Sequence, residues 1–107
     1  MTHEQFNKFQ LELIDEVIRM KDTKGKEYAN LESRFANFDR CAAKKGVSRL
    51  VVAGIYLDKH LDAIDSFIRT KKVMSEPIRG RIVDAITYLT LLAGMIEEEN
   101  EVSKQNV

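Results

Sequence analysis

SEPIRGRIVDAITYLTLLAGMI, residues Ser75 to Ile96, decides the fold. Ile78, Ile82, Ala85, Ile86, Leu89, Ala93 and Ile96 recur at spacings of three and four, the stripe of a helix packed on a core. A second arc lies beside it, because Arg81, Asp84, Tyr88, Leu91, Leu92 and Met95 fall together on a helix. This second face is polar in its first half and apolar in its second. A helix apolar nearly all round is central or lies in a subunit interface. The three polar residues entering such a face need partners or a ligand, since an unpaired buried charge is costly.

Working outward from this helix, the residues before it break periodicity at RTKKVMSEP, with Ser75 and Pro77 marking its start. Upstream, Ser48 caps a helix expected over Ser48 to Thr70, whose Leu50, Gly54, Leu57, Leu61, Ile64 and Ile68 alternate steps of four and three. A short helix precedes it, with Phe35, Phe38, Cys41 and Ala42 on one side, Asn30 as a possible cap and Lys44, Lys45 and Gly46 as the stop. At the start of the chain, Thr2 and Gln5 form a capping box for a helix expected from His3 to Asp22. Gly25 is its expected end, and KGKEYAN, Lys24 to Asn30, reads as a surface loop. Beyond Ile96, the acidic run and polar tail, residues 97–107, are expected to fray. The prediction is one all-α domain over residues 1–107, a small bundle of three long helices and one short one. Leu91, Leu92 and Met95 exceed what so small a bundle readily buries, so a homo-oligomer formed through the C-terminal helix is expected.

Composition narrows the function. The 107 residues suit one modest core, and 17 basic residues balance 17 acidic ones. Zero net charge supplies no bulk attraction to duplex nucleic acid or an anionic membrane. The opening MTHEQFNKFQ has no apolar run of the signal-peptide kind, and no segment has the roughly 18 apolar residues of a membrane span. A soluble, cytoplasmic protein is expected. The single cysteine, Cys41, fits a reducing compartment and a packing role.

Several clusters carry possible chemistry. Asp58, Asp62 and Asp65 make a line of carboxylates that Mg²⁺ could use, and equally a solvated stripe relieved by Arg69. Glu12, Asp15 and Glu16 resemble half of the paired E-x-x-E motifs with which all-α nucleoside triphosphate pyrophosphatases clamp Mg²⁺. The second half is incomplete here: Asp84 is preceded three positions earlier by Arg81, and Glu76 lies eight residues away. His60 is a lone histidine, and no Cys/His spacing suits zinc. Arg81, Asp84 and Tyr88 make a more suggestive kit, with a planar fork for phosphate, a carboxylate to orient it and a stacking face. The bland alternative is a buried structural ion pair.

The order K-G-K-E-Y-A at residues 24–29, R-F-A-N-F at 34–38, D-K-H-L at 58–61 and S-E-P-I-x-G-R-I-x-D-x-x-x-Y-L-x-L-L at 75–92 resembles the small helical, largely phage-encoded family called nucleotide modification associated domain 1. The resemblance covers nearly the whole chain. It implies an association with phage nucleotide metabolism and DNA base modification, and a distant likeness to the all-α pyrophosphatases. The polar positions it carries over are Lys26, Tyr28, Asn37, Lys59, Glu76, Arg81, Asp84 and Tyr88, while Glu27 and Ala29 stand where the family more often has aspartate and glycine. Together these readings predict a ligand site of Lys26, Tyr28, Asn37, Lys59, His60, Arg79, Arg81, Asp84 and Tyr88.

Three functions follow as expectations. The first is a phage-type protein of the host cytoplasm that binds a nucleotide or nucleotide-derived ligand without turnover or cofactor. By analogy with anti-defence sponges, that ligand includes cyclic immune-signalling nucleotides. The second is a Mg²⁺-dependent nucleotide pyrophosphohydrolase using Glu12, Asp15 or Glu16 with Glu76 and Asp84. The third is a helical protein-interaction module in which Arg81 and Asp84 simply pair.

Overall fold

A computed structural model of the chain describes residues 1–27, 33–72 and 77–105, the side chains of 21–27 and 105 excepted. The described residues form four helices and no strand: α1 (His3–Glu27), α2 (Ala36–Lys45), α3 (Arg49–Thr70) and α4 (Ile78–Gln105). The protein is thus an all-α assembly of three long helices and one short one. α3 and α4 form its central pair, α2 packs on α3, and α1 packs on α4.

Local sequence explains most of the boundaries. The Gln5 amide donates to Thr2 Oγ1 at 3.1 Å and the Thr2 amide to Gln5 Oε1 at 2.8 Å, a reciprocal capping box. α2 ends at Gly46, whose φ of 67° places it in the left-handed region that glycine enters without a Cβ clash. Ser48 Oγ accepts from the Leu50 amide at 3.1 Å and so starts α3, as the sequence predicts.

Two boundaries differ from expectation. α1 passes through Gly25 to Glu27, because a single glycine costs a helix only about 1 kcal/mol and is a weak stop. Asn30, the expected cap of the short helix, lies outside the described residues. α4 continues through the acidic run to Gln105, where the sequence suggested fraying after Ile96. The reason is Arg49, at the start of α3. Its Nη1 donates to Glu98 at 3.1 Å and to Asp39 at 3.4 Å, its Nε to Glu99 at 3.2 Å, and its Nη2 to the Met95 carbonyl at 3.3 Å. The guanidinium also sits over the Phe35 ring, 5.3 Å from its centroid. Burial pushes the Arg49 pKa down, but hydrogen bonds to Glu98 and Glu99 and the charge of Asp39 more than offset this, and it ends above its ordinary value. One side chain thereby ties α2, α3 and the acidic turn of α4 together.

The core lies between α3 and α4 around Ala53, Leu91 and Met95, flanked by Phe35, Phe38, Leu50, Tyr88 and Leu92. This shifts the buried face of α4 toward the second arc. Leu91 and Met95, expected at a subunit interface, are buried inside the chain, and Met95 is 0% exposed. The stripe expected to fill the core is only partly covered: Ala85 is buried and Ile78 and Ile86 are half-buried, whereas Ile82 is 37%, Leu89 53% and Ile96 46% exposed. Ala53, 0% exposed, packs in this cluster, and its small side chain leaves room there for the long Met95 side chain. The α3 seam is likewise covered only in its first half, since Leu57 is buried whereas Leu61 and Ile68 are exposed. On α1, Val17 is buried while Leu11, Ile14 and Ile18 face outward.

Candidate functional site

α2, α3 and α4 enclose a cleft of about 420 Å³, lined by Phe38, Val52 and Leu91 at its apolar base, by Tyr56 and Tyr88 along one wall, and by Asn37, Cys41 and Thr87. Arg34 and Arg40 stand at its mouth, both exposed. Helical spacing builds this arrangement: Asn37, Arg40 and Cys41 share one face of α2, Val52 and Tyr56 one face of α3, and Thr87, Tyr88 and Leu91 one face of α4.

The wall is an aromatic assembly. Tyr56 and Tyr88 lie nearly parallel, centroids 5.9 Å apart and planes 11° apart. His60, one turn after Tyr56, also stacks on Tyr88 at 5.5 Å and 25°. Phe38 meets both tyrosines edge-on, each at 6.4 Å. These offset and T-shaped geometries are the favourable ones for π systems. Tyr56 is 46% exposed, so part of its side chain is open to solvent.

At one end of the stack, Arg81 Nη1 lies 3.3 Å from His60 Nδ1, and Asp84 Oδ2 lies 3.8 Å from the same atom. A guanidinium only donates, so the neutral Nε2–H ring accepts from Arg81, whereas a protonated ring faces the Asp84 carboxylate. At the mouth, Arg40 Nη2 donates to Asn37 Oδ1 at 3.3 Å, which aims the Asn37 amide and a cation at the same opening. Inside, the Thr87 hydroxyl donates to the Val83 carbonyl at 2.9 Å, leaving oxygen lone pairs for a guest.

The expected site residues separate into groups. Asn37 and Tyr88 line the cleft. His60, Arg81 and Asp84 meet beside it, behind Tyr88. Lys59 is exposed and does not line it. Arg79 belongs elsewhere: its Nε donates to Glu16 at 2.9 Å and its guanidinium lies over Phe9 at 5.2 Å, so it fastens α4 to α1. Tyr28 and Glu76 fall outside the described residues, as does the side chain of Lys26. Glu12, Asp15 and Glu16 line a shallow depression on α1 with Arg19 and Met20, which Asp84 does not join. Asp15 pairs there with Arg19, and Glu16 with Arg79. Among the described residues, no three His, Cys, Asp or Glu side chains gather as a metal site would require. Asp58, Asp62 and Asp65 are exposed, and Asp65 pairs with Arg69 at 3.1 Å.

Sequence reasoning missed Arg34, Arg40, Tyr56 and Thr87 as site residues. The available signal was spacing: Tyr56 stands four before His60, and Arg40 three after Asn37. No family model, curated protein or solved structure matches the chain.

Proposed function

We propose that the protein binds a nucleotide-type ligand in the α2–α3–α4 cleft and holds it without turnover. The observation that carries this reading is the juxtaposition of the half-exposed Tyr56, stacked on Tyr88, with two exposed arginines in one cleft. A base stacks on Tyr56, at the edge of the Tyr56–Tyr88 assembly; Asn37 addresses a polar base or ribose edge; Arg34 and Arg40 meet phosphate. A volume of about 420 Å³ falls within the range of small-molecule pockets and suits one nucleotide unit. Binding without hydrolysis is supported by the lining, which includes cations, amide and hydroxyl among the described residues and no carboxylate. A larger ligand, such as a cyclic dinucleotide, would place its second unit outside this cleft. Sequestration of a signalling nucleotide by a phage-type protein is the biological form of this proposal.

The test is a thermal-shift panel of linear and cyclic nucleotides, with and without Mg²⁺, in which each compound is recovered and chromatographed. A ligand at 100 times its dissociation constant adds about 2.7 kcal/mol to stability. The Arg34→Ala/Arg40→Ala pair should remove the shift while the unliganded melting temperature changes little, because both side chains are exposed; Tyr56→Ala should also remove it, from a lower unliganded melting temperature, because its ring stacks on Tyr88. No shift with any nucleotide would refute the proposal. Mg²⁺-dependent consumption of a nucleotide would replace it with the pyrophosphohydrolase reading.

A further inference from the structure

The partly covered stripe of α4 has a repeat of its own. Ile82, Ile86, Leu89, Ala93 and Ile96 follow one another in steps of four, three, four and three, the spacing of a coiled-coil seam. Over this stretch the seam is about 21 Å long at 1.5 Å per residue. Its three largest outward residues, Ile82, Leu89 and Ile96, are between 37% and 53% exposed. The radius of gyration, 16.4 Å, also exceeds the approximately 13 Å expected of a compact domain of this length. A single chain therefore leaves a self-complementary apolar surface open. The shorter outward row on α1, Leu11, Ile14 and Ile18, lacks this length.

We infer that a second copy of this chain covers the seam, α4 packing antiparallel on the partner's α4 about a two-fold axis near Leu89. The distribution of charge selects that orientation. Arg79 opens the seam and Glu97 closes it, and at 100° per residue both lie on the same flank of the helix. An antiparallel pair brings like flanks together, so the Arg79 of each copy approaches the partner subunit's Glu97. Arg79 uses its Nε on Glu16, and the guanidinium carries further N–H donors. A parallel pair would instead gather the acidic turns, residues 97–101, of both chains at one end. Antiparallel macrodipoles add to the preference. The seam lies on nearly the opposite side of α4 from Tyr88 and Leu91, so the dimer leaves two clefts open on its outer sides.

Sedimentation velocity and light scattering of the full chain test the inference. The wild-type chain should be a dimer. Leu89→Lys places two like charges at the axis and should raise the dimer dissociation constant about 1,000-fold, the effect of two central interface positions at about 2 kcal/mol each. Ala93→Glu should act in the same direction, and both variants should retain wild-type helical circular dichroism because neither side chain is buried within the chain. Orientation is read by mixing Ile82→Cys and Ile96→Cys chains in a Cys41→Ser background under mild oxidation. Mixed disulfides should dominate over self-linked ones. A chain that stays monomeric would assign the seam to another partner and overturn the inference. So would a dimer indifferent to Leu89→Lys, or preferential Ile82→Cys self-linking.

Discussion

Replacing Arg49 by Met keeps the buried stem and removes only the guanidinium, whose side chain is 13% exposed. The three carboxylates it meets, on Asp39, Glu98 and Glu99, are each about half exposed, so each pair contributes about 0.5 kcal/mol. The hydrogen bond to the Met95 carbonyl adds about 1 kcal/mol, and the contact with the Phe35 ring about 0.5 to 1 kcal/mol. The sum, about 3 kcal/mol, corresponds to a fall in Tm of about 10–15 °C for a domain of this size. Arg49→Lys should recover about half, since an ammonium keeps a point charge but loses the fork. In 1 M salt, where the Debye length is about 3 Å, the share carried by ion pairs should shrink but not vanish, because the Arg49 side chain is only 13% exposed. Circular dichroism melts at low and high salt measure all three numbers, and hydrogen exchange locates the damage. Amides beyond Ile96 should lose protection in Arg49→Met before those of the core. A Tm within about 1 °C of wild type would show that the acidic turn is helical for another reason.

Met95→Ala empties the centre of the α3–α4 contact and should cost about 2–5 kcal/mol in urea unfolding, with the midpoint rather than the slope changing. Gly94 faces Phe35, where an added Cβ would stand 3.0 Å from the ring Cζ, so Gly94→Leu should cost about 2 kcal/mol by displacing the ring. Gly54 has no atom within 4 Å of an added Cβ, so Gly54→Ala should instead raise stability by about 0.5 to 1 kcal/mol in the same assay. Ligand binding across the cleft should raise hydrogen-exchange protection in α2 more than in α3, and equal protection of both would place the ligand elsewhere.

The helices were legible because their signals are local. Thr2 with Gln5, Ser48, and Gly46 act within a few residues, and each holds in the structure. The faces of α4 were not legible for a different reason. A helix apolar on two sides has two stripes of equal periodicity, and only the partner's surface chooses between them. On α3 that surface includes Ala53, which packs in one cluster with Met95, 42 residues away in the chain, and no spacing on α4 encodes it. The acidic turn was misread in the same way, because Arg49 lies 49 residues from Glu98. The site was half legible. His60, Arg81, Asp84 and Tyr88 come together, and Asn37, which came from the resemblance, shares the cleft with Tyr88 alone, whereas Arg79 has the chemistry of Arg81 and packs against α1.

α2 contributes Asn37, Phe38, Arg40 and Cys41 to the cleft, yet at 10 residues it is too short to be stable as an isolated helix. Its position depends on contacts made by others: Phe35 beside Gly94, Asp39 to Arg49, and Phe38 edge-on to two tyrosines. The opposite wall differs, since Tyr88 rises from the 28-residue α4 and is braced by Tyr56 and His60. One wall of the cleft thus rests on long helices and the other on a short helix held by its contacts. If the cleft takes a nucleotide as proposed, a base stacking on the α3–α4 wall would need little reorganisation, while Arg40 on α2 would adjust to the phosphate. Affinity in such a site depends on how completely α2 is held before the ligand arrives, because any ordering left undone subtracts from binding. That dependence joins the structural and functional readings: Arg49 never touches the cleft, and its loss should still weaken binding through the wall that it anchors.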